Sequence, residues 1–200
     1  FSEMAKGLLG SEILKIASDI RGMIAKGQKI GNLTVGDFSP AEFRIPQFME
    51  DAIRRHYAQG QTNYPPSDGM LELRNAIVGF YKTWLDVEYP VKSVLVASGA
   101  RPLIYSLFRA IVDPGDKVVY PVPTWNNNNF VQMLGAQGVP VHCHEEHAFL
   151  PTVELLKPHL HDARLICLNS PLNPSGTAFS RQELEAICDM ILEENKRRTT

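Results

Sequence analysis

The stretch that decides the fold is Asn169-Ser170-Pro171-Leu172-Asn173-Pro174-Ser175-Gly176. It follows the apolar run at residues 165–168, which predicts a buried strand. It precedes Ser180-Arg181-Gln182-Glu183, a pattern typical of the capping box that begins a helix. Open α/β sheets bind ligands at the carboxyl ends of their strands, so this loop is a candidate site. An ordinary proline-rich turn is the alternative interpretation of the loop taken alone.

Strands and helices alternate along the sequence, most regularly after residue 92. Strands are predicted at residues 30–35, 93–96, 117–120, 139–143 and 164–168. Helices are predicted at residues 11–26, 46–58, 70–85, 103–112, from about 125, at 153–156 and at 180–195. This alternation predicts an α/β protein of three αβα layers around a mostly parallel sheet.

Composition narrows the function classes. The chain has 200 residues and a net charge of −2, without the basic stripe that nucleic-acid binding requires. No apolar run is long enough to cross a membrane, and no secretory signal opens the sequence. We expect Cys167 and Cys188 to be small buried apolar residues in a reducing compartment. The composition therefore predicts a soluble, cytoplasmic protein without nucleic-acid or membrane partners.

A first candidate binding segment is Ser98-Gly99-Ala100-Arg101, which joins a predicted strand to a predicted helix. The first N–H groups of a helix are unpaired and carry the positive end of its dipole. Gly99 would let an anion approach the backbone, and a phosphate suits such a site. A glycine-containing βα turn without a ligand is the alternative.

Three further residues have both a functional and a plain interpretation. Trp125 follows a predicted strand, where an indole can cover a planar ligand or fill the space between helix and sheet. Tyr64 lies in a polar loop and could donate to a phosphate or simply lie on the surface. Gly36 could expose its amide to a carboxylate or serve only as a turn residue.

The run His142-Cys143-His144-Glu145-Glu146-His147 contains residue types that bind metals. Strand alternation places Cys143 opposite to His142 and His144, and the chain has no Cys-x-x-Cys pair. We therefore expect no metal site, and interpret the run as a strand that reaches the surface.

The motifs together resemble the first half of the class I and II aminotransferases, which are fold-type-I pyridoxal-phosphate enzymes. The resemblance begins near residue 31 and rests on residues 35–38, 64–69, 73–74, 98–100, 113–116, 123–125 and 169–176. It implies the large domain of a pyridoxal-phosphate transferase, present only in part. Residues 1–45 would contribute to the small domain, and residues 46–200 would form the first part of the large domain.

The resemblance implies cofactor roles at four positions of the predicted large domain. Gly99, Ala100 and Arg101 would hold the cofactor phosphate, mainly through backbone amides. Arg101 stands where lysine or glutamine is more usual in the family. Trp125 would lie over the pyridine ring.

The resemblance also implies roles for three other residues. Asn173 would hydrogen-bond the phenolic oxygen of the ring. Tyr64 would cross the interface of a homodimer to the phosphate of the partner subunit, and Gly36 would help receive the α-carboxylate of the substrate. We expect no catalytic residue within the chain, because the family's Schiff-base lysine, its ring-pairing aspartate and its substrate-binding arginine would follow Thr200.

The implied activity is transfer of an amino group between an amino acid and a 2-oxo acid, with an aspartate-type enzyme as one candidate. A pyridoxal-phosphate C–S lyase or cyclising lyase has the same motifs and stays open. So does a ligand-sensing domain of a regulator, although no DNA-binding helical module is visible. The sequence does not identify the substrate.

Overall fold

A computed structural model describes residues 1–10, 12–34, 36 and 39–198. The chain forms two compact units. One unit comprises Phe1–Leu9 with Gly99–Thr200, and the other comprises Gly10–Ser98. The predicted domain boundary at residue 45 stays a prediction.

The unit Gly10–Ser98 is helical in its described part. It contains the helices α2 (Glu12–Ala25), α3 (Gln47–Ala58) and α4 (Leu71–Leu85), followed by a short 3-10 helix at Val91–Ser93. The three predicted helices of this unit are confirmed, and Pro46 is the N-cap of α3. Ser11, the predicted cap of α2, lies outside the described residues.

The predicted strand at 30–35 is wrong for its described residues, 30–34, which form no strand. The side-chain carbonyl of Asn32 accepts from the Thr34 N–H at 3.1 Å and from the Thr34 hydroxyl at 2.6 Å. Such local bonds between side chain and backbone compete with strand pairing. Val35 lies outside the described residues.

The predicted strand at 93–96 is also wrong. Ser93 ends the 3-10 helix, and the Val94 N–H donates back to the Val91 carbonyl at 3.0 Å. The Val96 N–H donates to the Asp68 carbonyl at 3.1 Å, which is a single loop contact. An apolar run becomes a strand only where a neighbouring strand can bond its backbone, and none is assigned in the described part of this unit.

A three-stranded parallel sheet forms the centre of the other unit. Its strands are β1 (Lys117–Val122), β2 (Gln137–His142) and β3 (Ala163–Ile166), in the order β2-β1-β3. In register, Val119 pairs with Val139 on one side and with Ile166 on the other. The helices of this unit are α1 (Glu3–Lys6), α5 (Ala100–Ile111), α6 (Asn127–Leu134), α7 (Val153–Leu156) and α8 (Arg181–Arg197).

Helices cover both faces of this sheet. On one face α5 and α6 pack on β1, with a buried cluster of Phe108, Val112, Val118, Tyr120, Phe130, Val131 and Leu134. On the other face α7 and α8 pack on the sheet, with a buried cluster of Val119, Val141, Cys143, Leu156, Ala163 and Ile187. Neighbouring strand residues thus point to opposite faces, as strand geometry requires. The predicted α/β class and its three layers are confirmed.

The starts of α8 and α5 can be compared with the starts predicted from the sequence. Ser180 and Glu183 form the predicted capping box of α8, with each side chain bonding the other's backbone N–H. Helix α5 begins at Ala100, three residues earlier than the predicted 103. Pro102 lies within its first turn, where a missing N–H removes no intrahelical bond.

The burial of the cysteines differs in part from the expectation. Cys143 is buried and Cys167 is half-buried, but Cys188 is exposed. Cys188 follows Ile187, the buried contact of α8 with the sheet, and one residue step turns a helix by about 100°. The expected burial of Cys188 is therefore wrong. In the described part of the chain, no helix has both the length and the apolar composition needed to cross a membrane.

Candidate functional site

The carboxyl ends of β1 and β3 bring two of the predicted loops to one edge of the sheet. Pairing continues beyond the strand ends, since the Cys167 N–H donates to the Val119 carbonyl at 2.9 Å. Because β1 and β3 are parallel neighbours, the segment after Val122 and the segment after Ile166 leave the sheet at the same edge. Trp125 and Asn173 lie in these two segments.

The first turn of α5 supplies an anion-binding geometry. Gly99 is the N-cap, with φ 95° and ψ 171°, and no side chain caps the turn. A φ in this region favours glycine. A Cβ built on Gly99 would meet nothing within 4 Å, so the space beside the backbone is open. The exposed amides at the start of this 12-residue helix therefore have no intrahelical partner and can receive an anion.

The side chain of Asn126 joins this first turn to Trp125. In the amide orientation that satisfies its neighbours, the Asn126 oxygen accepts from Trp125 Nε1 at 2.8 Å and from Arg101 Nε at 3.3 Å. Next along the chain, Asn127 Nδ2 donates to Thr124 Oγ1 at 2.9 Å. Trp125 itself is half-buried. The structure thus brings Arg101 and Trp125 together, and Asn126 is a bridging residue that the sequence motifs did not reveal.

The loop at residues 169–176 is closed on itself by backbone bonds. The Leu172 N–H donates to the Thr177 carbonyl at 2.7 Å, and the Gly176 N–H donates to the Leu172 carbonyl at 2.7 Å. Leu172 is 2% exposed and anchors the loop in the protein. Asn173 is exposed, and its side-chain amide has no hydrogen-bond partner among the residues that the structure describes. The peptide bonds before Pro171 and Pro174 are cis.

Tyr64 belongs to the other unit and projects freely there, with a relative exposure of 102%. The loop that carries Tyr64 is tightly packed at its end. Gly69 has φ +98°, and a Cβ built on it would lie 2.7 Å from the Cβ of Val96. Only glycine therefore fits this position without a shift of the backbone.

Arg74 of α4 also stabilises the loop that carries Tyr64. Its guanidinium pairs with the Asp68 carboxylate and donates to the Val91 carbonyl at 2.8 Å. Its side chain is only 12% exposed. The motif at 64–69 and the following Leu73-Arg74 are therefore one structural element that fixes the base of the Tyr64 loop.

Gly36 is exposed, and a Cβ built on it would meet nothing within 4 Å. Its neighbours Val35, Asp37 and Phe38 lie outside the described residues. Gly36 and Tyr64 are both in Gly10–Ser98, whereas Gly99, Ala100, Arg101, Trp125 and Asn173 are in the other unit. The roles of all seven residues stay predictions.

Among the described residues, no charged side chain is buried. Burial raises the pKa of the Cys167 thiol to about 12, so the thiol is neutral near pH 7. Burial, with a smaller contribution from Cys167, also raises the pKa of Tyr120. Lys117 lies at the amino end of β1 and pairs with Asp162, far along the strand from Trp125. Among the described residues, no group of three or more His, Cys, Asp or Glu is placed to hold a metal ion.

Comparison with known proteins gives relatives along nearly the whole chain. An aspartate aminotransferase of Bacillus sp. (strain YM-2) is 33% identical over 192 residues, which are 95% of this chain and 48% of that protein. An aspartate aminotransferase of Bacillus subtilis (strain 168) is 32% identical over 194 residues, which are 96% of this chain and 49% of that protein. The chain thus spans about half the length of these relatives.

A solved structure agrees with the fold. The aspartate aminotransferase from Thermus thermophilus with maleate superposes with a TM-score of 0.90 at 27% identity, covering 98% of this chain and 51% of that one. The sequence model of the family "Aminotransferase class I and II" matches residues 28–197. The chain therefore belongs to the class I and II aminotransferase family.

Proposed function

We propose that the protein carrying this chain is a pyridoxal-phosphate-dependent aminotransferase that moves an amino group between an amino acid and a 2-oxo acid. The observation that carries this proposal is the junction of the α5 first turn with Trp125 through Asn126, at the carboxyl edge of a parallel sheet. An anion site beside an indole matches a flat ring that bears a phosphate. The names of the two Bacillus relatives favour an aspartate-type substrate.

The residues present fit this cofactor. The open space beside Gly99 and the unpaired amides at the start of α5 suit its phosphate. The indole of Trp125 offers a face for the ring, and the unpartnered amide of Asn173 offers a donor for a ring oxygen. When bound, pyridoxal phosphate supplies the electron sink that this reaction class requires. The share of this chain in the reaction is to bind and orient.

The proposal also covers the oligomeric state of the protein and its location in the cell. Tyr64, fully exposed on a loop that Arg74 and Gly69 fix at its base, suits a phenol that reaches the cofactor of a partner subunit in a homodimer. Gly36 would help receive the substrate carboxylate. We place the protein in the cytoplasm, in line with the absence of a membrane-spanning helix from the described residues.

The experiment is a cofactor titration followed by an assay. Pyridoxal phosphate that stays with the protein after gel filtration should give an absorbance band that shifts when aspartate is added, and 2-oxoglutarate should then yield glutamate. Trp125→Phe should weaken cofactor binding about tenfold by removing the larger aromatic face and its N–H bond, on the scale of aromatic contacts. Trp84→Phe, the matched control in the other unit, should leave binding unchanged.

Two outcomes would overturn this function. A protein that retains no pyridoxal phosphate after gel filtration would contradict the binding site itself. Release of pyruvate and ammonia without a 2-oxo acid acceptor would support a lyase of the same fold instead of an aminotransferase.

A further inference from the structure

We propose that Asn126 is a positioning residue that couples the Trp125 indole to the Arg101 guanidinium, so that ring stacking and phosphate binding depend on one amide oxygen. The inference rests on the proposed function, in which Trp125 faces the cofactor ring. It assigns a role to a residue that belongs to none of the motifs described above.

The contacts of the amide oxygen support this role. The oxygen accepts from the indole N–H at 2.8 Å and from Arg101 Nε at 3.3 Å. An indole has only this one donor, so its bond fixes the direction of the ring plane about the side-chain torsions. The bond from the guanidinium is charge-assisted, which makes it stronger than a bond between neutral groups. One acceptor thus restrains two long side chains that come from different elements.

The backbone of Asn126 suits the same role. Its φ of 66° and ψ of −5° lie in the left-handed region, and it is the N-cap of α6. Asparagine occupies this region more readily than other residues with a side chain, glycine apart. The bond from Asn127 Nδ2 to Thr124 Oγ1 at 2.9 Å closes the same turn from the other side. The turn therefore presents the Asn126 amide in a defined place.

The anchoring of Arg101 leaves its charge available. Only Nε is engaged by Asn126, and the two terminal nitrogens make no hydrogen bond within the described residues. Arg101 is also the second residue of α5, beside the unpaired amides of the first turn. A guanidinium that is held at Nε keeps its two terminal groups free for a bidentate contact with a phosphate. The bridge therefore gives the arginine side chain a function that its backbone alone would not have.

Two substitutions separate the side chain from the backbone. Asn126→Gly keeps the left-handed turn and removes the acceptor, whereas Asn126→Asp keeps an acceptor oxygen of the same reach. We expect Asn126→Gly to raise the dissociation constant for pyridoxal phosphate about tenfold, the scale of one charge-assisted hydrogen bond. Asn126→Asp adds a negative charge that would repel the phosphate, so this variant is the control for the indole contact and not for the dissociation constant. A thermal unfolding midpoint measured on each variant reports whether the fold is kept.

A second readout needs no cofactor. The emission of Trp125, isolated by subtracting the spectrum of Trp125→Phe, should become more accessible to acrylamide in Asn126→Gly and not in Asn126→Asp. In the unsubstituted protein labelled with ¹⁵N-tryptophan, the Trp125 indole N–H should exchange with solvent more slowly than an unstructured tryptophan. This last measurement holds even where the glycine variant does not fold.

The outcomes distinguish the inference from the function on which it rests. If the unsubstituted protein fails to bind pyridoxal phosphate, the proposed function is wrong. If that protein binds it and Asn126→Gly matches the unsubstituted protein in both dissociation constant and quenching, the bridge is wrong and the function stands. Free exchange of the Trp125 indole N–H would also contradict the bridge.

Discussion

The two compact units hold their candidate site residues in different ways. In the sheet-containing unit, Trp125 and Asn173 follow strands whose two faces are buried under helices. In Gly10–Ser98, Ala17 is the only buried apolar side chain among the described residues, and Tyr64 depends on a glycine contact and an arginine clamp. A packed sheet fixes several loops at once, whereas a helical unit without such a core fixes each loop by its own local contacts.

The largest difference in stability is expected between two isoleucines on helices, one in each unit. Ile187 of α8 is 1% exposed, while Ile53 of α3 is 61% exposed. Ile187→Ala should lower the unfolding free energy of the chain by about 2–5 kcal/mol through lost burial and a cavity. Ile53→Ala should change it by less than about 0.5 kcal/mol. Denaturant unfolding of both variants measures the difference, and equal losses would contradict the assignment of the core to the sheet.

Two glycines with nearly the same positive φ, 98° at Gly69 and 95° at Gly99, give the next effect. A Cβ at Gly69 would collide with Val96, whereas a Cβ at Gly99 would meet open space. Gly69→Ala should therefore cost about 2–4 kcal/mol, from left-handed strain and overpacking together. Gly99→Ala should cost only the backbone strain of its positive φ, about 1–3 kcal/mol. A larger loss of thermal stability in Gly99→Ala than in Gly69→Ala would contradict the difference in packing between the two sites.

The start of α8 gives a smaller effect. The Ser180 hydroxyl accepts from the Glu183 N–H at 3.3 Å, and Glu183 accepts from the Ser180 N–H at 2.7 Å. Ser180→Ala should destabilise the unit by about 1 kcal/mol because one helix N–H loses its partner. Ser180→Asp, which preserves a cap, should restore most of that loss in the same unfolding assay. A full loss in the aspartate variant would argue against capping as the cause.

The last prediction concerns the rates at which two cysteines react with a thiol reagent, and it involves no change in stability. Cys188 is exposed, while burial raises the pKa of Cys167 to about 12. A pKa above its ordinary value means less reactive thiolate, so Cys167 should stay unmodified by a thiol reagent at pH 8 in the folded chain. Cys188 should react quickly under the same conditions, and Cys188→Ser should abolish the fast phase. Fast labelling that survives in Cys188→Ser would contradict the burial of the other cysteines.

The sequence predicted the sheet-containing unit well because its signals are local. The apolar runs at β1, β2 and β3 lie between helices, and the capping box of α8 is read from four consecutive residues. The runs at 30–34 and 93–96 have similar composition but form no strand. Composition cannot reveal whether a neighbouring strand is available, because pairing depends on tertiary arrangement.

The candidate site could be predicted only in part for the same reason. Trp125 and Asn173 follow the ends of β1 and β3, so the order of elements in the sequence already predicted that they lie at one edge of the sheet. The strand predicted before Gly99 does not form, so this reasoning does not extend to Gly99. Asn126 was missed because its importance lies in a contact with Arg101, 25 positions away in sequence. The motif at 169–176 does not reveal that Leu172 anchors the Asn173 loop, because this role follows only from its burial.

We expect one edge of the sheet to hold a phosphorylated ring between α5 and Trp125. A crystal structure of the protein that carries this chain, grown with pyridoxal phosphate, tests it most directly. The phosphate should lie on the amides of Gly99, Ala100 and Arg101, with the ring against the indole of Trp125. A cofactor phosphate bound elsewhere, or an indole turned away from the ring, would contradict it.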